Sequence, residues 1–121
     1  MKKILIVDDS RVSRMLVRTI IQRKHEDWVF EEAGCGEDAL KLLEHYTPDL
    51  ITVDVNMPGM SGLDAARQMH AANPAVAIFV LTANIQDSTK ARAADIGVEF
   101  VEKPITEERV HRMIAVLEAA T

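Results

Sequence analysis

Cysteine is nearly absent. Cys35 is the only one in 121 residues, which excludes an internal disulfide and a zinc cluster built on thiolates, and suits a reducing compartment. Long apolar runs are missing too. The stretch after the two N-terminal lysines stops at Asp8, too short for a signal-peptide core or a membrane span, so a cytoplasmic protein with no membrane insertion is expected. Positive charge is in deficit, with 14 Lys and Arg against 19 Asp and Glu and a formal net charge of -5. Long-range repulsion therefore argues against direct binding of nucleic acid or an anionic membrane. Linkers, internal repeats and low-complexity tracts are also lacking. The length fits one domain, residues 1–121, large enough to close a core without staples.

What is present is a recurrence. Ile4-Leu5-Ile6-Val7 runs into Asp8-Asp9, Leu50-Ile51-Thr52-Val53 into Asp54, Ala77-Ile78-Phe79-Val80-Leu81 into Thr82, and Phe100-Val101-Glu102 into Lys103-Pro104. Short apolar runs of this kind read as strands covered on both faces.

Amphipathic stretches lie between them. Ser10 is placed to cap a first helix whose expected buried stripe is Val12, Met15, Leu16, Thr19 and Ile20, with Arg11, Arg14 and Arg18 mostly outside it. Trp28–Ala33 reads as a second strand opened by a partly buried tryptophan, Gly34 and Gly36 mark a turn, and Ala39, Leu40 and Leu43 give the next helix stripe. The segment from Asn56 to Gly62 is rich in turn formers and leads into a helix over about 63–72, ended by Asn73-Pro74. A fourth helix over about 87–96 ends at Gly97, and a fifth starts near Glu107 with Val110, Ile114 and Leu117 inward.

Strict alternation of strand and helix forces parallel strands joined by right-handed crossovers. The expected architecture is an α/β, three-layer sandwich around a five-stranded parallel sheet. The polar residues ending the strands then gather at the sheet's carboxyl edge, where open α/β sheets bind ligands.

Three carboxylates converging there repel one another by about 4 kcal/mol per pair at 4 Å and an effective dielectric near 20. A cation is therefore required. Oxygen-only ligands suit Mg²⁺, whereas Zn²⁺ favours imidazole or thiolate. Lys103 adds a positive charge able to hold a carboxylate or a phosphoryl group, and the Thr82 hydroxyl adds a hydrogen bond. These are the parts phosphoryl transfer needs, with Asp54 the natural nucleophile and Asp8-Asp9 a pair suited to gripping metal. Taken singly, each of these residues is ordinarily a turn, cap or loop residue; an acid pair, an acid, a hydroxyl and a lysine at four strand ends make coincidence a poor account.

These residues resemble the receiver domains of two-component response regulators over the whole chain, most closely the stand-alone chemotaxis type. The motifs are Ile4-Leu-Ile-Val-Asp-Asp-Ser10, Asp54-Val-Asn-Met-Pro-Gly-Met-Ser-Gly62, Leu81-Thr-Ala83 and Phe100-Val-Glu-Lys-Pro-Ile105. The resemblance implies that the sheet is doubly wound in order 2-1-3-4-5 with five helices, flavodoxin-like. It implies that Asp54 accepts a phosphoryl group from a histidine kinase or phosphotransfer protein, and that the domain catalyses only its own phosphorylation and dephosphorylation. It implies Mg²⁺ held by Asp9 and Asp54 side chains, by the Asn56 carbonyl and, through water, by Asp8. Lys103 would contact the phosphoryl group and Thr82 would swing toward it. Phe100, where many members carry Tyr, would move inward and remodel a partner-binding face formed by the fourth helix, fifth strand and fifth helix. Asn56 and Asn84 occupy positions that tune hydrolysis of the acyl phosphate, and a cis peptide is expected at Lys103-Pro104.

Several alternatives stay open: a receiver module of a larger hybrid kinase or DNA-binding regulator, a Mg²⁺-dependent aspartyl-phosphate hydrolase, and a scaffold that has lost its switch. Arg11, Arg14, Arg18, Arg23 and Lys24 make the first helix basic, which suits either a solvated face or docking of an acidic phosphodonor. His25, His45, His70 and His111 lack metal-ligand spacing and read as solvated surface, and Met15, Met57, Met60, Met69 and Met113 as core or loop packing.

Overall fold

The computed structural model describes residues 1–83 and 87–119. In chain order the elements are β1 (Lys3–Val7), α1 (Arg11–Lys24), β2 (Val29–Ala33), α2 (Gly36–Leu42), β3 (Leu50–Asp54), α3 (Gly62–Ala72), β4 (Ala77–Thr82), α4 (Asp87–Ile96), β5 (Glu99–Glu102) and α5 (Glu107–Glu118). All strand pairs are parallel and the sheet order is β2-β1-β3-β4-β5, as expected.

Alternation along the strands divides the core in two. Leu5, Val7, Ile51, Val53, Ile78 and Val80 face one layer, packed by α2 and α3 through Ala39, Leu63, Ala66 and Met69. Ile4, Ile6, Leu50, Phe79 and Leu81 face the other, packed by α1 and α5 through Val17, Ile21, Val110, Met113 and Ile114. Each such aliphatic side chain contributes roughly 1.5–3 kcal/mol of burial. Hydroxyl side chains cap three helix starts: Ser10 Oγ accepts from Ser13 N, Ser61 Oγ from Asp64 N and Thr106 Oγ1 from Arg109 N. Each such cap is worth about 1 kcal/mol.

Helix α1 is rotated by roughly a third of a turn from the expected face. Its buried residues are Val17, Ile20 and Ile21, while Val12, Met15 and Leu16 are 76 %, 54 % and 43 % exposed and Thr19 is also exposed. The segment carries two apolar arcs, and hydrophobic spacing does not choose between them. Two arginines decide it: Arg14 Nε lies 2.9 Å from Glu32 Oε1 and Arg18 Nη1 3.0 Å from Glu32 Oε2, so the side expected to face solvent is pinned to β2.

His25 departs from the expected solvated surface. Its ring stacks on buried Trp28 with centroids 3.9 Å apart, and its Nε2 lies 2.5 Å from Glu118 Oε2, while Lys24 Nζ is 3.1 Å from the same oxygen. This cluster ties the end of α1 to the end of α5 and holds the Glu118 carboxyl below its ordinary value, chiefly through the hydrogen bond from His25. No described helix is long and apolar enough to cross a membrane.

Candidate functional site

Four strand ends bring the expected residues to one edge of the sheet. Asp8 follows β1 directly, and its N–H donates to the Ala33 carbonyl at 3.0 Å, which carries the β1–β2 ladder one residue past the strand. Its Oδ1 accepts from the Ser10 N–H at 2.9 Å, bending the chain into α1. Asp9, one residue on, is exposed. Asp54 ends the central strand β3 and is buried, and carboxylate oxygens of Asp8, Asp9 and Asp54 all lie within 4.8 Å of one another.

Lys103 completes the pocket from the far side of β4. Its backbone N–H donates to the Thr82 carbonyl at 2.9 Å, and its Nζ stands 3.2 Å from Asp54 Oδ1 and 3.8 Å from Asp8 Oδ2. The Lys103-Pro104 peptide is cis, as the resemblance implies. Thr82 is fully buried on β4, one residue past the Leu81 that pairs with Asp54.

The electrostatics are those of an acid cluster short of positive charge. Burial pushes the Asp54 carboxyl above the usual carboxylate range; Lys103 and a hydrogen bond from the Asn56 backbone N–H pull it down without cancelling the rise. Burial likewise raises Asp8, opposed by the Ser10 N–H and reinforced by the Asp54 charge. Hard oxygen donors, two of them buried, around one ammonium form a set that fits Mg²⁺.

Phe100, expected from the resemblance to be a switch residue, lies outside this pocket. It sits on β5, half-buried, lining a groove of about 490 Å³ with Lys90, Arg112, Met113 and Val116, and Lys90 Nζ is 5.9 Å from its ring centroid. Asn84 lies outside the described residues.

Two residues of the site are not among those expected from sequence. Arg14 Nη1 donates to the Asp8 carbonyl at 2.6 Å, a contact hidden while Arg14 is placed on the solvent side of α1. Gly62 lets the loop after β3 close on itself: a Cβ there would come within 2.0 Å of the Asp54 carbonyl oxygen, and its N–H donates to the Val55 carbonyl at 3.0 Å. The Ser-Gly pair opening α3 is the only signal of it in the sequence.

A family model described as the response regulator receiver domain matches residues 4–115. The chain belongs to this family. The receiver is 34 % identical over 110 residues to the chemotaxis protein CheY of Thermotoga maritima, covering 90 % of this chain and 91 % of that one. It is 39 % identical over 105 residues to a protein-glutamate methylesterase/protein-glutamine glutaminase of Methanococcus maripaludis, but spans only 28 % of that relative's length. Among solved structures, the response regulator TrrA from Thermotoga maritima, in complex with Mg²⁺–BeF, superposes with a TM-score of 0.84 at 30 % identity, covering 97 % of this chain and 99 % of that one. Receiver domains are signalling switches that take a phosphoryl group from histidine kinases, act on downstream targets and bind Mg²⁺ at an aspartate cluster.

Proposed function

We propose that this receiver is a phosphorylation-activated switch of the chemotaxis type, with Asp54 as phosphoacceptor. The observation that carries the reading is the Asp54 carboxylate, buried at a strand end, held by Lys103 at 3.2 Å and flanked by two further carboxylates. An Asp54 oxygen attacks the phosphorus of a phosphohistidine in a histidine kinase or phosphotransfer protein, the P–N bond breaks, and the imidazole leaves. Asp8, Asp9, Asp54 and Asn56 would hold Mg²⁺, which when bound neutralises the carboxylates and the phosphoryl oxygens.

The phosphorylated side chain carries nearly two charges and adds acceptor oxygens. Lys103 answers one oxygen with its ammonium and Thr82 another with its hydroxyl, and Phe100 moves toward the space Thr82 leaves. The groove between β5 and α5, with Lys90, Arg109 and Arg112 against Glu99 and Glu102, is the face that a downstream protein would read. The donor side is α1: Val12, Met15 and Leu16 form an exposed apolar strip beginning three residues from Asp9, with Arg11 beside it. Cys35 is a free thiol, in keeping with a cytoplasmic location.

A second reading, a receiver module acting within a larger regulator, is favoured by the methylesterase relative, of which the matched region is a minor part. Incubation with Mg²⁺ and radiolabelled acetyl phosphate tests the shared core of both readings. Native protein is expected to take up label and Asp54→Asn none; undiminished labelling of that variant would put the nucleophile elsewhere.

A further inference from the structure

We infer that Arg14 is a positioning residue for the acidic cluster: by clamping the Asp8 carbonyl to Glu32 it sets where the Asp8 and Asp9 carboxylates stand, and so how tightly a divalent cation binds. The inference rests on the cation reading above.

The residue is tied at both ends. Nη1 donates to the Asp8 carbonyl at 2.6 Å, Nε donates to Glu32 Oε1 at 2.9 Å, and the side chain is only 18 % exposed. Glu32 is itself fixed: it lies on β2 in register with Ile6 of β1, and its second oxygen takes Arg18 at 3.0 Å. The clamp is therefore referenced to the sheet and not to a loop. Its own helix is seated next to the same turn, because the Arg14 N–H donates to the Ser10 carbonyl at 3.1 Å.

Planarity of the peptide carries the constraint onward. The Asp8 carbonyl, the Asp9 nitrogen and the Asp9 Cα share one plane, so holding the oxygen orients the root of the Asp9 side chain. Asp8 is held from the other side by its N–H on Ala33 and its Oδ1 on the Ser10 N–H. Arg14 thus restrains the peptide joining the two acids, at the point where mutual repulsion of three carboxylates would push them apart.

Geometry also says why arginine is used. Two bonds in different directions from one planar group require the guanidinium fork, and an ammonium at the end of a flexible stem cannot reproduce it. The charge is matched by Glu32, so the substitution Arg14→Lys keeps the local charge and removes only the fork. Partners one step removed from a metal's ligands typically change its affinity 10- to 100-fold.

Native protein, Arg14→Lys and Glu32→Gln are titrated with Mn²⁺ at 25 °C, free ion being counted by electron paramagnetic resonance and folding checked by circular dichroism. Mn²⁺ accepts the same oxygen ligands. Arg14→Lys is expected to weaken Mn²⁺ binding about 10-fold and Glu32→Gln about 3-fold, since a glutamine oxygen still accepts one bond. Labelling by acetyl phosphate should fall at low Mg²⁺ and return to within about twofold of native at saturating Mg²⁺, a split that a general loss of structure would not produce. Native-like Mn²⁺ affinity in folded Arg14→Lys overturns the role of Arg14 alone, and should that variant fail to fold, native-like affinity in Glu32→Gln does the same. Native protein that binds no Mn²⁺ overturns the cation reading and this one with it.

Discussion

Lys103 Nζ lies 3.2 Å from Asp54 Oδ1 although a whole strand, β4, separates β3, which ends in Asp54, from β5, which Lys103 follows. The lysine spans the end of β4 while its backbone is tied to Thr82, so Asp54, Thr82 and Lys103 share one short path. Lys103→Ala should raise the titration point of Asp54, because the ammonium favours the charged form; carboxyl-carbon NMR of metal-free protein measures it. The same variant should still accept phosphate while the response of the Phe100 amide to beryllofluoride weakens about fivefold or more. A native-sized response would remove Lys103 from the coupling.

Asp54 gives a stability prediction whose sign follows from its environment. A carboxyl raised above its unfolded value is protonated more readily in the folded state, so its ionised form opposes folding above the folded pKa and has no effect below the unfolded one. Asp54→Asn should therefore stabilise the metal-free protein at pH 7 by roughly 1–2 kcal/mol, less than one bare carboxylate pair would contribute because Lys103 offsets part of the repulsion. The gain should shrink as pH falls into the acid range, as urea midpoints at several pH values would record.

Glu118 runs the other way. Its carboxyl is held below the ordinary value by His25 and Lys24, so its stabilising contribution is present above about pH 4.5, the unfolded value, and is lost as pH falls through the lower folded value. Glu118→Gln should destabilise by a few tenths to about 1 kcal/mol at neutral pH, the partly exposed position being screened by solvent. The two proteins should converge in strong acid. Fluorescence of Trp28, stacked on His25, reports the same cluster.

Thr52 sits buried in β3, and among the described residues its hydroxyl has no hydrogen-bond partner. An unsatisfied buried hydroxyl lowers stability, and valine has nearly the same shape. Thr52→Val should add about 1 kcal/mol and raise the melting temperature by roughly 3–6 °C. A lower melting temperature would reveal that the hydroxyl is satisfied in solution.

Gly62→Ala should do the opposite, and severely. A methyl group within 2.0 Å of the Asp54 carbonyl forces the β3–α3 loop outward and displaces Asp54 with it. A loss of more than about 2 kcal/mol in urea denaturation is expected, with phosphate acceptance reduced even where the variant folds.

The sheet and its polar edge were legible because both signals are local and unambiguous. An apolar run ending in a single polar residue has one reading once the strands are parallel, and Asp8, Asp9, Asp54 and Lys103 meet as that reading requires. The face of α1 was not legible, since Val12, Met15 and Leu16 are as apolar as Val17, Ile20 and Ile21. The deciding partner, Glu32, lies on another element. Arg14 and Gly62 were missed for a related reason. Each acts through a backbone carbonyl, an atom every residue carries and no sequence pattern marks. The seating of His25 against Trp28 and Glu118 joins positions 93 residues apart and leaves no periodic trace.

Strand β5 has four residues and, among the described strands, hydrogen-bonds to β4 alone. A ribbon zipped along one seam slides more readily than one zipped along two, and this ribbon has Phe100 at its middle and runs directly into Lys103. In the proposed switch, a pull on Lys103 or Phe100 would therefore act on an edge of the sheet, where one seam yields, and not on the central strands β1 and β3.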